Sequence, residues 1–316
     1  MRKDRKTEKN ASIANVQGYH GGIWGGENYA FSGFKSNKYF TSDRHIKLDE
    51  HFRRADGKLL KGFGLEIETE SARAIASDTV LAEIYDKIIF PHFPADLFKM
   101  QHDGSLHGAA SAECITQVMT REFIRNNYAN FKLMYDTYFP SFGISAGHVS
   151  CGMHVNISLG VFGDAETTQA NAVRKLYYFV NKHFDLACVL FARNREHTGY
   201  CSRMNYANAR DLDLTTQGCS HGVAFNMGHY NAGRVELRLV GGQKNYATFR
   251  NTMESVFFLC DAVKRLKWED MDNLEKVFAG CNQYVYDRLT KCRNEGVIDA
   301  ETVERIHATI VREEYI

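Results

Sequence analysis

The sequence predicts an α+β protein: a mostly antiparallel sheet with helices packed on one face and a polar, concave active-site face on the other. Several segments alternate polar and apolar residues with a period of two, which is typical of strands with one apolar face. Helical segments separate these strands along the chain. The strands are nevertheless too amphipathic for a doubly wound parallel sheet, whose strands are buried on both faces, so the antiparallel arrangement is favoured.

The segment at 62–70 is the first and most acidic of these strands. Its apolar residues alternate with Glu66, Glu68 and Glu70, which share one face. Carboxylates two residues apart on a strand lie roughly 6.5–7 Å apart at their Cα atoms, close enough to share bound cations. The alternative is the solvated face of an ordinary amphipathic strand, and Glu70 in particular is interpreted as a solvated strand end.

Periodicity and capping residues predict the elements that follow. A helix is expected at about 77–90, with a buried side made of Val80, Leu81, Ile84 and Ile88. The other expected elements are a hairpin of strands at 97–100 and 111–118 with its turn at 102–105, strands at 151–158 and 234–240, and helices at about 121–139, 166–191 and 245–267. Region 192–230 has little regular pattern.

Three parts are expected along the chain. Residues 1–55 are interpreted as an irregular arm rich in glycine and aromatic residues, 56–267 as the main catalytic body and 268–316 as a C-terminal helical extension. Helices in the extension are expected at 274–278, 284–293 and 302–310. The 8 cysteines lack zinc-type spacing and are interpreted as reduced, small core residues.

The overall charge argues against two classes of partner. The 316 residues include 39 basic and 38 acidic side chains, a formal net charge of +1. Such a balance creates no whole-molecule field that would attract nucleic acid or an anionic membrane. No apolar run approaches the length of a membrane span, and the first residues lead into no apolar signal core. We therefore expect a soluble, cytoplasmic protein that acts on a small molecule or a peptide-like chain.

The polar residues of the predicted strands form a candidate site on the open face of the sheet. Acids and arginines without zinc-type ligands suit hard cations such as Mg²⁺ that bridge phosphate oxygens. Arginine forks would neutralise phosphoryl charge, and a P-loop nucleotide site is excluded because its motif is absent. Glu113 shares its nominal strand face with Ile115, so a bulge or bend is expected there. The candidates are Glu66, Glu68, Glu113, Glu236, His154, Arg234 and Arg238.

Four motifs resemble one superfamily. The segment at 151–159 is similar to the Gly-Met-His-x-His/Asn signature of glutamine synthetases, and the Arg-x-Glu-x-Arg strand at 234–238 resembles the strand that follows it there. Gly-Leu-Glu-Ile-Glu at 64–68, and Asp-Gly-Ser at 103–105 with Glu113, resemble the amidoligase family of the same carboxylate–amine ligase fold. The motifs occur in the right order over about 62–250.

The resemblance implies a glutamine synthetase-like catalytic sheet and an ATP-dependent ligase. Such an enzyme phosphorylates a carboxylate and lets an amine displace the phosphate from the acyl phosphate. The cofactors implied are ATP and Mg²⁺, and the substrates a small-molecule or peptide carboxylate and an amine. A homo-oligomer is left open.

The same resemblance implies roles for individual residues. Two or more Mg²⁺ ions around the triphosphate would be held by Glu66, Glu68, Glu113 and Glu236. His154 would lie beside the bound phosphates or the carboxylate, and Arg234 and Arg238 would meet phosphate oxygens or the acyl phosphate. Asn156 replaces a second histidine of many relatives. Arg203 is a candidate for the substrate carboxylate, and Asp103 for the base that deprotonates the amine.

Two other functions stay open at this point. A phosphotransferase resembling the guanidino kinases would use much the same acids and arginines. A degenerate ligase fold would serve as a binding or scaffold protein, in which His154 is structural and the arginines pair with the glutamates. Retention of the whole set argues against a scaffold, because a scaffold has no use for uncompensated like charge.

Overall fold

The computed structural model describes residues 59–71, 75, 78–93, 97–101, 106, 108–215 and 222–310. Within these residues seven strands form one antiparallel sheet in the order β2-β3-β1-β5-β7-β6, with β4 paired to the end of β1. The strands are β1 (Phe63–Ser71), β2 (Phe98–Gln101), β3 (Ala110–Thr116), β4 (Ile144–Ser145), β5 (Met153–Ser158), β6 (Phe225–Asn226) and β7 (Arg234–Leu237). The α+β class is confirmed.

The helices fall between and after the strands. They are α1 (Asp78–Ile84), α2 (Arg121–Asn126), α3 (Tyr128–Leu133), α4 (Phe139–Ser141), α5 (Glu166–Lys182), α6 (Phe184–Leu190), α7 (Tyr246–Arg265), α8 (Leu274–Phe278), α9 (Gln283–Asn294) and α10 (Ala300–His307). Single π turns extend α1 over Tyr85–Ile89 and α3 over Met134–Tyr138. The predicted strands and helices within the described residues are confirmed in position, but the helices expected at 121–139 and 166–191 are interrupted at Asn127 and His183, and the last strand ends at Leu237 rather than 240. The short strands β4 and β6 were not predicted.

Two predicted features lie outside the described residues. These are the N-terminal arm at 1–55 and the turn at 102–105. Among the helices of the described part of the chain, none is both long enough and apolar enough to cross a membrane. The cysteines that the structure describes are all buried and free of disulfides, as the sequence predicts.

The main core lies between the apolar face of the sheet and the long helix α7. Phe63, Leu65 and Ile67 of β1 are buried in it, and the ring of Phe63 lies 4.8 Å from that of Phe257 on α7. Asn245 caps α7 by accepting a hydrogen bond from the backbone N–H of Thr248. Burial of each such apolar side chain stabilises the fold by roughly 1.5–3 kcal/mol. The polar residues of the strands therefore lie on the opposite face of the sheet.

The helices after Trp268 pack into the same core. Val285 and Leu289 of α9 are fully buried. The buried guanidinium of Arg288 donates to the carbonyl oxygens of Leu190, at 2.9 Å, and Val189 at the C-terminal end of α6. This contact satisfies carbonyls that the end of a helix leaves without intrahelical partners.

The buried side of α1 differs from the prediction. Leu81, Tyr85 and Ile89 are completely buried, whereas Val80 is 43% exposed. The π turn that follows α1 holds more residues per turn than an α-helix. Positions four apart therefore stay in line along this segment. Leu81 is buried as predicted, whereas Ile84 and Ile88 are only half-buried, so the 3.6-residue period predicts only part of the buried side.

The polar face of the sheet is not open, contrary to the prediction. Glu68 is 6% exposed, Glu236 4% and Asn156 1%. Arg193 packs over one end of this face, because a Cβ atom placed on Gly152 would meet its Nη2 at 3.0 Å and Glu68 Oε2 at 3.2 Å. Burial of charged groups is tolerated only when they are paired or hydrogen-bonded, so these side chains must find partners in one another.

Gly241 is predicted to be essential for this packing. It pairs with Gly152, donates its N–H to the Phe191 carbonyl at 3.0 Å, and a Cβ atom there would collide with the Ala192 carbonyl oxygen. Gly241→Ala should lower the free energy of unfolding by about 1–3 kcal/mol, measured by urea denaturation. Gly199→Ala is the matched control, because nothing lies within 4 Å of its Cβ position. Equal effects of the two variants would contradict the predicted close packing.

Candidate active site

The register of the sheet brings the polar residues of four strands together. Glu66 of β1 pairs with His154 of β5, and Asn156 of β5 pairs with Glu236 of β7. Glu68 pairs with Glu113 of β3. Directly opposed residues point to the same face with Cβ atoms about 4.5–5.5 Å apart. Local alternation and antiparallel pairing therefore assemble one cluster from segments distant in sequence.

His154 lies at the centre of the cluster. Its Nδ1 is 3.1 Å from Glu66 Oε2 and 3.4 Å from Glu236 Oε1, and its Nε2 is 3.5 Å from Glu68 Oε1. The imidazole is 7% exposed. Both ring nitrogens face carboxylates, an arrangement that favours the doubly protonated, charged ring.

Two overlapping sets of ligand atoms share this histidine. One set comprises Glu66, His154 and Glu236, the other Glu68, Glu113 and His154, and within each set the donor atoms lie within 4.8 Å of one another. Four carboxylates contribute oxygen donors to these sets, and oxygen donors suit hard cations. The prediction that these glutamates share one face is confirmed.

The two arginines of β7 have different surroundings. Arg238 donates to Glu236 Oε1 at 2.7 Å and lies 3.5 Å from His154 Nδ1, and its side chain is 14% exposed. Arg234 is buried and donates to Asn156 Oδ1, and Asn156 donates to Glu66 Oε1 at 2.7 Å. Three cations, His154, Arg234 and Arg238, thus lie among the four carboxylates without a ligand. Most of the like charge is compensated by the protein itself, so the argument against a scaffold does not hold for that part of the charge.

Opposite shifts in pKa accompany this pairing. Burial raises the pKa of Glu66, but the hydrogen bond and charge of His154, the charge of Arg234 and the hydrogen bond from Asn156 outweigh it and lower the pKa to about 2. Burial and the charge of Arg238 lower the pKa of His154, but the hydrogen bond with Glu66 and the charges of Glu68 and Glu236 raise it from 6.5 to about 9. At neutral pH the pair is an ionised carboxylate and an imidazolium.

Glu113 reaches the cluster without the expected bulge. The pairing of β1 with β3 runs unbroken from Glu66 opposite Ile115 to Ser71 opposite Ala110. Ile115 accordingly lies on the polar face with the acids, while Ala112 and Cys114 belong to the core. The bulge was predicted because Ile115 was assigned to the core, and that assignment was wrong.

Three residues of the site were missed in the sequence. Asn226 of β6 donates to Glu236 Oε2 at 2.9 Å, and the backbone N–H of Gly152 donates to Glu68 Oε2. Arg193 lies beside Glu68 and donates to the Val240 carbonyl at 2.8 Å. Asn226 and Arg193 both lie in the region without periodicity. Gly152 begins the Gly-Met-His motif, but no role was assigned to it from the sequence.

Two candidates have other positions. Arg203 donates to the Asn181 carbonyl at 2.7 Å and the Lys182 carbonyl at 3.4 Å, at the C-terminal end of α5, and its guanidinium stacks over Tyr206. Among the described residues its hydrogen bonds do not reach the cluster. Asp103 lies outside the described residues.

The sequence had indicated that Glu70 is a solvated strand end, and this prediction was wrong. It is 5% exposed, and it accepts a hydrogen bond from Ser150 Oγ at 2.6 Å. His148 Nδ1 lies 3.2 Å from its other carboxylate oxygen. The segment that precedes β5 therefore covers this end of β1.

No protein-family model matches the chain, and no curated protein matches it in sequence. The case for a function therefore depends on the geometry of this cluster and on the motifs that compose it.

The charge on His154 predicts a pH dependence of stability in metal-free buffer. Because the folded-state pKa of about 9 exceeds the unfolded value of 6.5, its contribution is fully present below pH 6.5 and is lost as the pH rises through 9. The free energy of unfolding should fall over this range by at most about 3 kcal/mol. Urea denaturation in EDTA measures it.

His154→Gln is the comparison for that experiment. The gap in unfolding free energy between wild type and this variant should be widest below pH 6.5 and narrow towards pH 9, since only the wild type loses an imidazolium. A gap that stays constant with pH would show that His154 is not charged in the folded protein.

Proposed function

We propose that this protein is an ATP-dependent carboxylate–amine ligase of the amidoligase type, with the catalytic sheet of glutamine synthetases. It would phosphorylate a small-molecule or peptide carboxylate, and an amine would displace the phosphate to form an amide. The observation that carries the proposal is the convergence of four glutamates on one histidine on a single sheet face. The motifs that resemble the superfamily supply these same residues.

The donor set fits Mg²⁺. Mg²⁺ prefers carboxylate and water oxygens, and Glu66, Glu68, Glu113 and Glu236 offer carboxylates in two adjoining groups. These glutamates would hold Mg²⁺, which would supply positive charge to neutralise the phosphates of ATP. The partly exposed edge of Glu66, 13% of its side chain, provides an approach for a cation.

Arg238 and Arg234 would have different roles in the proposed reaction. Arg238 is held by Glu236 but keeps part of its guanidinium accessible, so it would donate hydrogen bonds to the phosphoryl group or the acyl phosphate. Arg234 is buried and would act through Asn156, which orients the Glu66 carboxylate. In this proposal Arg234 is a positioning residue rather than a substrate contact.

A binding or scaffold protein is the second candidate, and one observation favours it. Arg238 pairs with Glu236, and His154 with three carboxylates, so the cluster is stable as a closed network with no ligand. A buried network of this kind also occurs in proteins where it serves structure alone.

The ligase is tested by incubating the purified protein with Mg-ATP, hydroxylamine as a generic amine, and a panel of carboxylates. Hydroxamate and ADP should form together with one class of carboxylate, because hydroxylamine traps an acyl phosphate. ADP without hydroxamate would favour a phosphotransferase related to the guanidino kinases. Absence of both, with no Mg-ATP binding by calorimetry, would favour the scaffold.

Isosteric variants test the role of the carboxylates. Glu68→Gln and Glu236→Gln should reduce hydroxamate formation on the order of 10²–10³-fold, because each removes charge that would hold Mg-ATP. Glu304→Gln, on the exposed side of α10, is the control and should retain full activity.

Thermal unfolding distinguishes the site from the scaffold in the same variants. The amides keep the shape of the carboxylates but lose their charge beside His154 or Arg238, so the melting temperature should fall by several degrees, at about 2–4 °C per kcal/mol, while the protein stays folded. A large loss of stability with intact activity would mark the carboxylates as structural.

A further inference from the structure

Beside the cluster, a short segment places a histidine against the last acid of β1. The segment at 146–152 connects β4 to β5, and its Gly152 N–H holds Glu68 while its Ser150 holds Glu70. These two carboxylates lie on the same face of β1, roughly 6.5–7 Å apart at their Cα atoms. His148 is therefore on the same side of the sheet as the proposed ATP site.

The backbone of this segment is packed tightly in place. A Cβ atom on Gly147 would lie 2.6 Å from the Cα atom of Lys244, and the Cys151 N–H donates to the His148 carbonyl at 3.0 Å. Gly242 leaves no room for a side chain against the Ala146 carbonyl. His148 thus projects from a supported backbone.

The hydrogen bonds determine the tautomer of His148. Ser150 Oγ donates its proton to Glu70 Oε1 at 2.6 Å. The lone pairs of Ser150 Oγ can therefore accept a hydrogen bond from His148 Nδ1, which is also 2.6 Å away. Glu70 Oε2 lies 3.2 Å from the same nitrogen. These two acceptors lie closer to Nδ1 than the backbone N–H of Ser150, which is 3.5 Å away, so in the neutral ring Nδ1 carries the proton and Nε2 keeps its lone pair.

Nε2 of this ring is available for chemistry. The His148 side chain is 53% exposed, and among the described residues Nε2 has no hydrogen-bond partner. A carboxylate on Nδ1 with an accessible Nε2 is the arrangement by which a histidine acts as a general base. Ser150 is not a nucleophile here, since its proton points to Glu70 and it meets Nδ1 rather than Nε2.

We propose that His148 accepts the proton of the amine substrate, with Glu70 and Ser150 as positioning residues, an inference that rests on the ligase proposed above. It assigns the substrate class as amines that are protonated in water, because these need a base before they attack. Exposure of the ring also lets the proton pass on to solvent.

The nitrogen of the amine forms a bond to the carbonyl carbon of the acyl phosphate, and the bond from that carbon to the phosphate oxygen breaks, so inorganic phosphate leaves. A protonated amine loses two protons in this reaction. The first goes to His148 Nε2 before the attack, and Glu70 stabilises the resulting imidazolium. The second passes to the leaving phosphate once the carbon–nitrogen bond has formed. No electron transfer and no further reactant are involved.

Two amines of similar size test the proposal. Ammonium is protonated at neutral pH and needs a base, whereas hydroxylamine is largely unprotonated and does not. His148→Gln should lower kcat with ammonium on the order of 10²–10⁴-fold. It should change kcat with hydroxylamine by less than about threefold, within the spread of a surface substitution. Amide, hydroxamate and phosphate are measured with the carboxylate that gives hydroxamate in wild type.

Each outcome has one meaning. Three outcomes would overturn the role of His148 and leave the ligase intact. They are equal losses of kcat with both amines, no loss with either amine, and a wild type that uses hydroxylamine but not ammonium. A wild type that forms no hydroxamate would refute the ligase itself. Activity with hydroxylamine also reports that the variant is folded, and His307→Gln, an exposed histidine of α10, is the matched control.

Discussion

The structure depends on how the sheet accommodates four carboxylates on one nearly buried face. Unpaired, such charges would cost several kcal/mol each. The imidazolium of His154, held between Glu66, Glu68 and Glu236, offsets this cost, and Arg238 compensates Glu236 directly. Because the contacts of His154 join residues of β1, β5 and β7, the pairing also requires one register of the sheet: a slip by one residue would turn the acids into the apolar core.

The same atoms serve stability and the proposed chemistry. The carboxylate oxygens that contact His154 and Arg238 are those that would hold Mg²⁺ in the proposed ligase. Mg²⁺ would therefore replace some of these contacts with the protein's own cations. In the free protein these carboxylates are held in place by His154 and Arg238, so the proposed site for Mg-ATP would be ordered before binding. Preorganisation of this kind lowers the cost of ordering charged groups when the substrate arrives.

Support for the site comes from backbone as much as from side chains. Gly152 donates to Glu68 and leaves room for Arg193, whereas Gly241 lets the extension of β7 lie against Ala192. The segment before β5 then closes over Glu70 with Ser150 and His148. The acids of β1 are thus each held by a different neighbour, which accounts for the low exposure of the whole strand.

The alternation of polar and apolar residues within single segments determined where most strands lie and which of their side chains face the polar side of the sheet. It placed Glu66, Glu68, His154, Asn156 and Glu236 on strands and assigned them to the polar side, because side-chain direction along a strand follows from local geometry alone. The burial of Glu70, the contribution of Asn226, the position of Arg193 and the capping role of Arg203 were decided only by the tertiary structure. Each depends on contacts with residues far away in the chain or on strands too short to show a period, and no local pattern encodes such contacts. The pairing of carboxylates with cations was also decided only by the tertiary structure, because it exists only once the strands are paired.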